Sequence, residues 1–228
     1  MLELYEQLLP IKLYHSQKTR TMPVNDVQSR LCSKVPESVP PVLTECSALT
    51  QNKYLARDKA ASEFLFFEIL QVLGLLEEVP PCYSPVEPKP TYGSRDTQAF
   101  WDIPVYAVQT EGRANRVDAR IIDLKAKKVT KLEMSCPLIE NRTRKDAEKT
   151  IKYGAMRWEL NQQFKGYVVE PHNIIIDALE GWSNEREEVT QKLLGARRKY
   201  VLRIMQKSVI SSNLNIAMMF KVMILHYY

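Results

Sequence analysis

Glycine is scarce in this chain, with 7 in 228 residues. None builds a glycine-rich phosphate loop or a Gly-x-Ser-x-Gly turn, which excludes P-loop nucleotide hydrolysis and α/β-hydrolase acyl transfer. Histidine is rarer still. His15, His172 and His226 stand apart, with no Cys or second His at ligand spacing, so none is expected in a metal or nucleophile constellation. The four cysteines, Cys32, Cys46, Cys82 and Cys136, include no Cys-x-x-Cys pair. Neither an intact zinc ribbon nor a secreted disulfide framework is indicated, and a reducing compartment is expected. No apolar run approaches the roughly 20 residues of a membrane span, and Glu3 and Glu6 stand where a secretory signal would be basic. The chain reads as soluble and not secreted, with no membrane partner.

What is present is an ordinary globular mixture, 45% apolar and 26% charged, long enough for one well-buried domain plus an appendage. The net charge of +5 suits a polyanionic partner only if it gathers on one face. Residues 1–50 mix Pro, Ser, Thr and basic side chains without a sustained period. Lys18 to Met22 and Pro36 to Pro41 read as loop, and the segment is not expected to fold alone. Within 51–79, Leu55, Ala60, Phe64, Phe67, Leu70, Leu73 and Leu76 recur at helical spacing. They predict one amphipathic helix from Tyr54 to Leu76, ending near Gly74 and needing a partner surface.

The five prolines from Pro80 to Pro90 predict an extended connector over 80–96, because each fixes φ and biases its predecessor away from helix. The boundary of a core over 97–182 is placed here. That core is expected to hold a strand at Phe100 to Val108 and a hairpin of Val117 to Leu124 and Val129 to Cys136. A helix from about Thr143 to Phe164 and a strand at Asn173 to Ala178 follow. Over 183–228, helices are expected at Asn184 to Leu194 and Lys199 to Ser212. Their basic set Lys192, Arg197, Arg198, Lys199, Arg203 and Lys207 suits either a phosphate backbone or a solvated helix side. The fold class is α/β: a small mixed sheet flanked by helices, with an amino-terminal extension and carboxy-terminal helices.

The chemistry concentrates between Arg116 and Tyr153. In the second hairpin strand, alternation puts Leu132, Met134 and Cys136 on one face and Lys131, Glu133 and Ser135 on the other. Glu133 therefore lies opposite an apolar face. Asp118 starts the partner strand, where the hairpin brings the two carboxylates together. Two hard oxygen ligands at one point suit Mg²⁺ or Mn²⁺, which keep several waters and bind a substrate phosphate. The alternative is that these carboxylates, flanked by Arg113, Arg116, Lys127 and Lys131, are solvated surface charges. On the following helix Lys145, Lys149, Lys152, Tyr153 and Met156 share one side, while Ala147, Ile151, Ala155 and Trp158 form the apolar side. Lysines there hold a phosphate or position a water as point charges. Because Lys149 projects away from the apolar stripe, the helix is expected to lie beside the hairpin and not flat on it.

The run Phe100-Trp101-Asp102-Ile103-Pro104, then Asn115-Arg116-Val117-Asp118, Leu132-Glu133-Met134-Ser135-Cys136-Pro137, Asn141-Arg142 and Glu148-Lys149-Thr150-Ile151-Lys152-Tyr153, resembles a known nuclease region. This is the restriction-enzyme-like endonuclease domain at the carboxy terminus of early-branching non-LTR retrotransposon polyproteins, within the PD-(D/E)XK superfamily. The resemblance spans about Ala99 to Trp182. It implies an enzyme that nicks target DNA to prime reverse transcription. Asp118 and Glu133 would be its metal ligands, and Lys149, Lys152 and Tyr153 its catalytic helix residues. Arg113, Arg116, Lys131, Arg142 and Lys145 would contact nucleic acid. DNA is the implied partner, with element RNA and the rest of the polyprotein beside it, and the implied location is the nucleus, or the cytoplasm before import. The chain departs from the family at Val117, often Pro, and at Ser135, where the superfamily lysine is expected. The second departure makes the helix lysines necessary.

Upstream, Ser29-Arg30-Leu31-Cys32, Pro41-Val42-Leu43-Thr44-Glu45-Cys46 and Tyr54-Leu55-Ala56-Arg57-Asp58 resemble the Cys-Cys-His-Cys knuckle preceding that nuclease. Ser29 replaces the first Cys, Pro41 the His, and Asp58 stands where an Arg-His pair usually follows. With Cys32 and Cys46 alone, a structural zinc is not expected. The chain looks like the carboxy-terminal piece of a larger element. Two competing readings stay open: an inactive remnant that binds nucleic acid weakly or not at all, and an interaction module built on the helix from Tyr54 to Leu76.

Overall fold

The structure, a computed structural model, describes residues 9, 11–19, 27–106, 116–137, 141–179 and 184–225. Its helices are α1 (Lys12–Thr19), α2 (Val39–Thr44), α3 (Leu55–Val72), α4 (Arg142–Lys152), α5 (Gly154–Gln163), α6 (Asn184–Leu194) and α7 (Arg198–Leu225). Its strands are β1 (Thr91–Gly93), β2 (Thr97–Trp101), β3 (Ala119–Asp123), β4 (Lys128–Ser135) and β5 (Val168–Ile175). The strands form one sheet in the order β1-β2-β3-β4-β5, antiparallel except for the parallel β4–β5 pair. The fold is mixed α/β, as the pattern predicts.

The β3–β4 hairpin follows from local chemistry. Asp123 Oδ1 accepts the Ala126 N–H at 2.7 Å, and Lys127 closes the turn at φ +50. The register runs from Asp123 opposite Lys128 to Ala119 opposite Leu132. Val117 and Asp118 leave the ladder, which makes β3 shorter than expected. The reason is chemical: the Met134 N–H bonds the Asp118 carboxylate at 2.6 Å instead of a main-chain carbonyl.

Alternation gives the sheet two covered faces. Ala119, Ile121, Leu132, Met134 and Ile174 pack against α3 and α7, whereas Ile122, Val129 and Val169 pack against Tyr153, Met156 and Leu160. The helix α3 is buried on nearly every side from Phe64 to Leu70, so it is a central helix and not a one-faced amphipathic one. Its single charge in that run, Glu68, is neutralised by Arg197 at 2.6 Å. Only Leu55 and Val72, at its ends, are exposed large apolar residues of this helix, so no apolar patch supports the interaction-module reading.

Several boundaries differ from expectation. The connector contributes β1, because its prolines stop at Pro90, whose carbonyl accepts the Trp101 N–H at 2.9 Å. The strand expected at Phe100 to Val108 is instead Thr97–Trp101. It ends where Asp102 turns to φ +46, and residues 107–108 lie outside the described ones. The strand expected at Asn173 starts earlier, at Val168, and carries Pro171 because it occupies a sheet edge. The last helix continues past Ser212 to Leu225, since Asn213 is buried and bonded to Arg57 and to the Ala178 carbonyl.

The amino-terminal segment is less irregular than expected. Helix α1 runs through Lys18 and Thr19, and α2 carries Pro40 and Pro41 in its first turn, where proline is tolerated. Its core is completed by α7: Val42, Leu43, Leu49 and Tyr54 pack with Ile216, Phe220 and Ile224. Arg57 joins the layers, donating to the carbonyls of Leu43 (2.9 Å) and Cys136 (2.8 Å) and to Asn213 Oδ1 (2.9 Å). Among the described residues, no helix is long and apolar enough to cross a membrane.

Candidate active site

Extending the hairpin register by one step sets Asp118 opposite Glu133, on the face shared with Lys131 and Ser135. That face is not open surface. Glu133 is 2% exposed, which removes the solvated-charge reading for it. The cover comes from α4 and α5, and their geometry corrects the expected single helix. The chain breaks at Tyr153 (φ −100, ψ 10), and α5 restarts at Gly154. Helix α4 buries nothing and lies beside the sheet, as the lysine positions required, while α5 buries Met156 and Leu160.

The packing side is also reversed from the expected one. Ile151 is 81% exposed and Trp158 44%, while the side carrying Lys149, Tyr153 and Met156 turns to the sheet. The reversal has a physical cause, because Glu133 and Asp118 are there to be neutralised. Lys149 Nζ donates to Glu133 Oε2 at 3.0 Å and to the Met134 carbonyl at 2.7 Å. Lys152 is exposed and reaches the Tyr153 hydroxyl, at 3.1 Å. The structure thus places Lys149 against the carboxylate and Lys152 one group further out.

The electrostatics follow from crowding. Burial, then the Glu133 charge, raises the Asp118 carboxyl to about 6, against the lowering effect of Lys149 and the Met134 N–H. Burial first, then Glu133, pushes the Tyr153 phenol well above its ordinary value. Burial lowers the Lys131 ammonium to about 8, with Glu133 and Asp118 opposing. Lys131 Nζ sits over the Tyr153 ring, 3.8 Å from its centroid. Lys131 is 2% exposed, so it is not a solvated surface charge.

Three buried side-chain atoms on this face have no hydrogen-bond partner among the described residues: Glu133 Oε1, Ser135 Oγ and Arg120 Nε. Buried orphans are rare and call for an ion, a water or a ligand. Glu133 Oε1 and the Asp118 carboxylate are hard oxygen donors, which fits Mg²⁺ or Mn²⁺. Among the described residues, no group of three or more His, Cys, Asp or Glu is placed to hold a metal. Two carboxylates suit an ion whose other positions are filled by water and phosphate.

The remaining expected contacts scatter. Arg113 lies outside the described residues. Arg116 is exposed and pairs with Asp102 at 3.0 Å, and Lys145 pairs with Glu148 at 2.7 Å. Arg142 stands on the first turn of α4. In the carboxy-terminal basic set, Arg197 and Arg198 are tied to Glu68 and Glu187. His172 is held by Glu170 at 3.3 Å, and His226 lies outside the described residues.

One charged neighbour was not expected. Asp58, at the start of α3, accepts the Cys136 N–H at 3.4 Å and adds to the repulsion felt by Asp118. The only hint in the sequence is the Arg57-Asp58 pair in the knuckle-like run. In that run the side chains of Ser29, Cys32 and Cys46 lie close together. Compared with protein-family models and with curated proteins, the chain matches none, so the nuclease resemblance stands on its residues and their spacing.

Proposed function

We propose that the chain is a divalent-metal-dependent DNA endonuclease domain of the restriction-enzyme-like kind found in retrotransposon polyproteins. Its activity would nick target DNA to prime reverse transcription. The observation that carries this reading is Glu133: a buried carboxylate with one oxygen on Lys149 and the other unpartnered, beside Asp118. The mixed sheet flanked by helices supports it.

Asp118 and Glu133 would hold Mg²⁺ or Mn²⁺, which lowers the pKa of a water and stabilises charge on the phosphorane. Lys149 would orient the attacking water or the scissile phosphate from the opposite side of Glu133. Tyr153 would fix Lys131 and Lys152, through its ring and its hydroxyl, so that positive charge surrounds the site. DNA is the proposed partner, with element RNA and the remaining polyprotein beside it, in the nucleus. The purified chain with Mg²⁺ should nick supercoiled plasmid, and equal nicking by Asp118→Ala would refute the assignment.

A second reading, an inactive remnant, has one observation in its favour. Lys149 already neutralises Glu133 and takes up the Met134 carbonyl without any ion. Melting in rising Mg²⁺ separates the two, because an ion that binds only the folded state raises the transition.

A further inference from the structure

A cavity of about 580 Å³ opens between β5 and the α4–α5 pair, beyond Tyr153 from the carboxylates. Its size lies in the roughly 300–1,000 Å³ range of small-molecule and cofactor sites. Lys131, Arg142 and Arg157 bring three cations to its wall, with hydroxyls from Thr143 and Thr150 and the ring of His172. Among the described lining residues the one acidic side chain, Asp146, is turned to Asn173, whose Nδ2 donates to Asp146 Oδ1 at 2.9 Å and to Thr150 Oγ1 at 3.2 Å.

Three features of this wall favour an anion. Lys131 is 2% exposed, yet its ammonium makes no hydrogen bond among the described residues. It feels the Glu133 and Asp118 charges and stacks on the Tyr153 ring, yet its N–H donors are left without an acceptor among those residues, which a bound anion would supply. Arg157 is exposed on α5 and forms no ion pair among the described residues. Finally, the first turns of two helices line the cavity at separate places, Arg142 and Thr143 at the start of α4 and Gly154 of α5 one α4 length away. The start of α4 has no side-chain cap bond, so its first-turn N–H groups are left for another acceptor at the positive end of that helix. A Cβ built on Gly154 meets nothing within 4 Å, so the backbone is open to a ligand there.

We propose that this cavity is a phosphate subsite that holds one phosphodiester of a nucleic-acid strand, next to the one at the carboxylates. Arg157 supplies the outer charge, and Lys131 supplies the buried charge between the two phosphates. The hydroxyls of Thr143 and Thr150 complete the donors. The choice of a nucleic-acid phosphodiester rests on the nuclease reading, whereas the preference for an anion rests on the cavity alone.

The test uses the full chain in chelator, so that no cleavage occurs and binding fails or succeeds independently of nicking. The 5′-phosphorylated thymidine dinucleotide and inorganic phosphate are titrated separately, followed by calorimetry and amide NMR shifts. The dinucleotide should bind and shift the amides of Thr143, Gly154 and Asn173. Arg157→Gln, at an exposed position, should weaken it about tenfold, as expected for a lost charge-assisted bond. Inorganic phosphate should move the same amides with lower affinity. Absence of dinucleotide binding, shifts confined to other surfaces, or an unchanged affinity in Arg157→Gln would overturn the subsite. Phosphate binding as tightly as the dinucleotide would overturn its assignment to a nucleic-acid strand.

Discussion

Lys149 and Glu133 form a 3.0 Å ion pair across two elements, and the same ammonium bonds the Met134 carbonyl at 2.7 Å. One cation on α4 thus fixes the strand segment that carries the buried carboxylate.

Removing that cation leaves Glu133 buried and uncompensated. Lys149→Met should destabilise the metal-free chain by about 2–4 kcal/mol in urea denaturation, near the cost of breaking a buried pair. Saturating Mg²⁺ should restore part of the loss. A Lys149→Met chain as stable as the parent without metal would show that the pair contributes nothing.

Asp118 sets the pH dependence. Its carboxyl sits at about 6 in the fold, above its ordinary 3.8. The folded state therefore holds the proton longer than the unfolded one, and stability is highest below pH 4. It should fall as pH rises through about 6 and then level off, by about 1–3 kcal/mol without metal. Asp118→Asn should flatten this slope and raise the melting temperature at pH 7 in chelator.

Arg57 is the joint between three parts of the chain. It is buried, and its guanidinium bonds Leu43, Cys136 and Asn213. Arg57→Ala should cost about 3–5 kcal/mol, because it strands buried acceptors and uncouples the amino-terminal segment from α7. Hydrogen exchange should show protection lost first in α2 and the second half of α7.

The reversed packing of α4 and α5 gives a contrast between two apolar positions. Trp158→Ser, on the exposed stripe, should change stability by less than about 0.5 kcal/mol. Met156→Ala, under the sheet, should cost about 2–4 kcal/mol. Equal costs in thermal or urea unfolding would contradict the observed orientation.

Sequence pattern carried the hairpin, because period-2 alternation and a polar turn fix register locally. It carried the facing of Asp118 and Glu133 for the same reason. Periodicity failed on the helix from Arg142 to Gln163, where Ile151 and Trp158 form the stronger apolar stripe but stay exposed. There, neutralising two buried carboxylates decides which side turns in, and hydrophobic pattern holds no record of that. Burial of Lys131 and the approach of Asp58 were hidden as well, since both depend on α3 and α5 closing over a sheet from distant parts of the sequence.

Asp118 and Glu133 are proposed to bind one divalent ion together. Calorimetric titration of Mn²⁺ into the purified chain, beside Asp118→Asn and Glu133→Gln, tests it most directly. One saturable ion is expected in the parent, with a loss of about tenfold or more in affinity in each variant. No saturable binding, or binding unchanged by both substitutions, would contradict it.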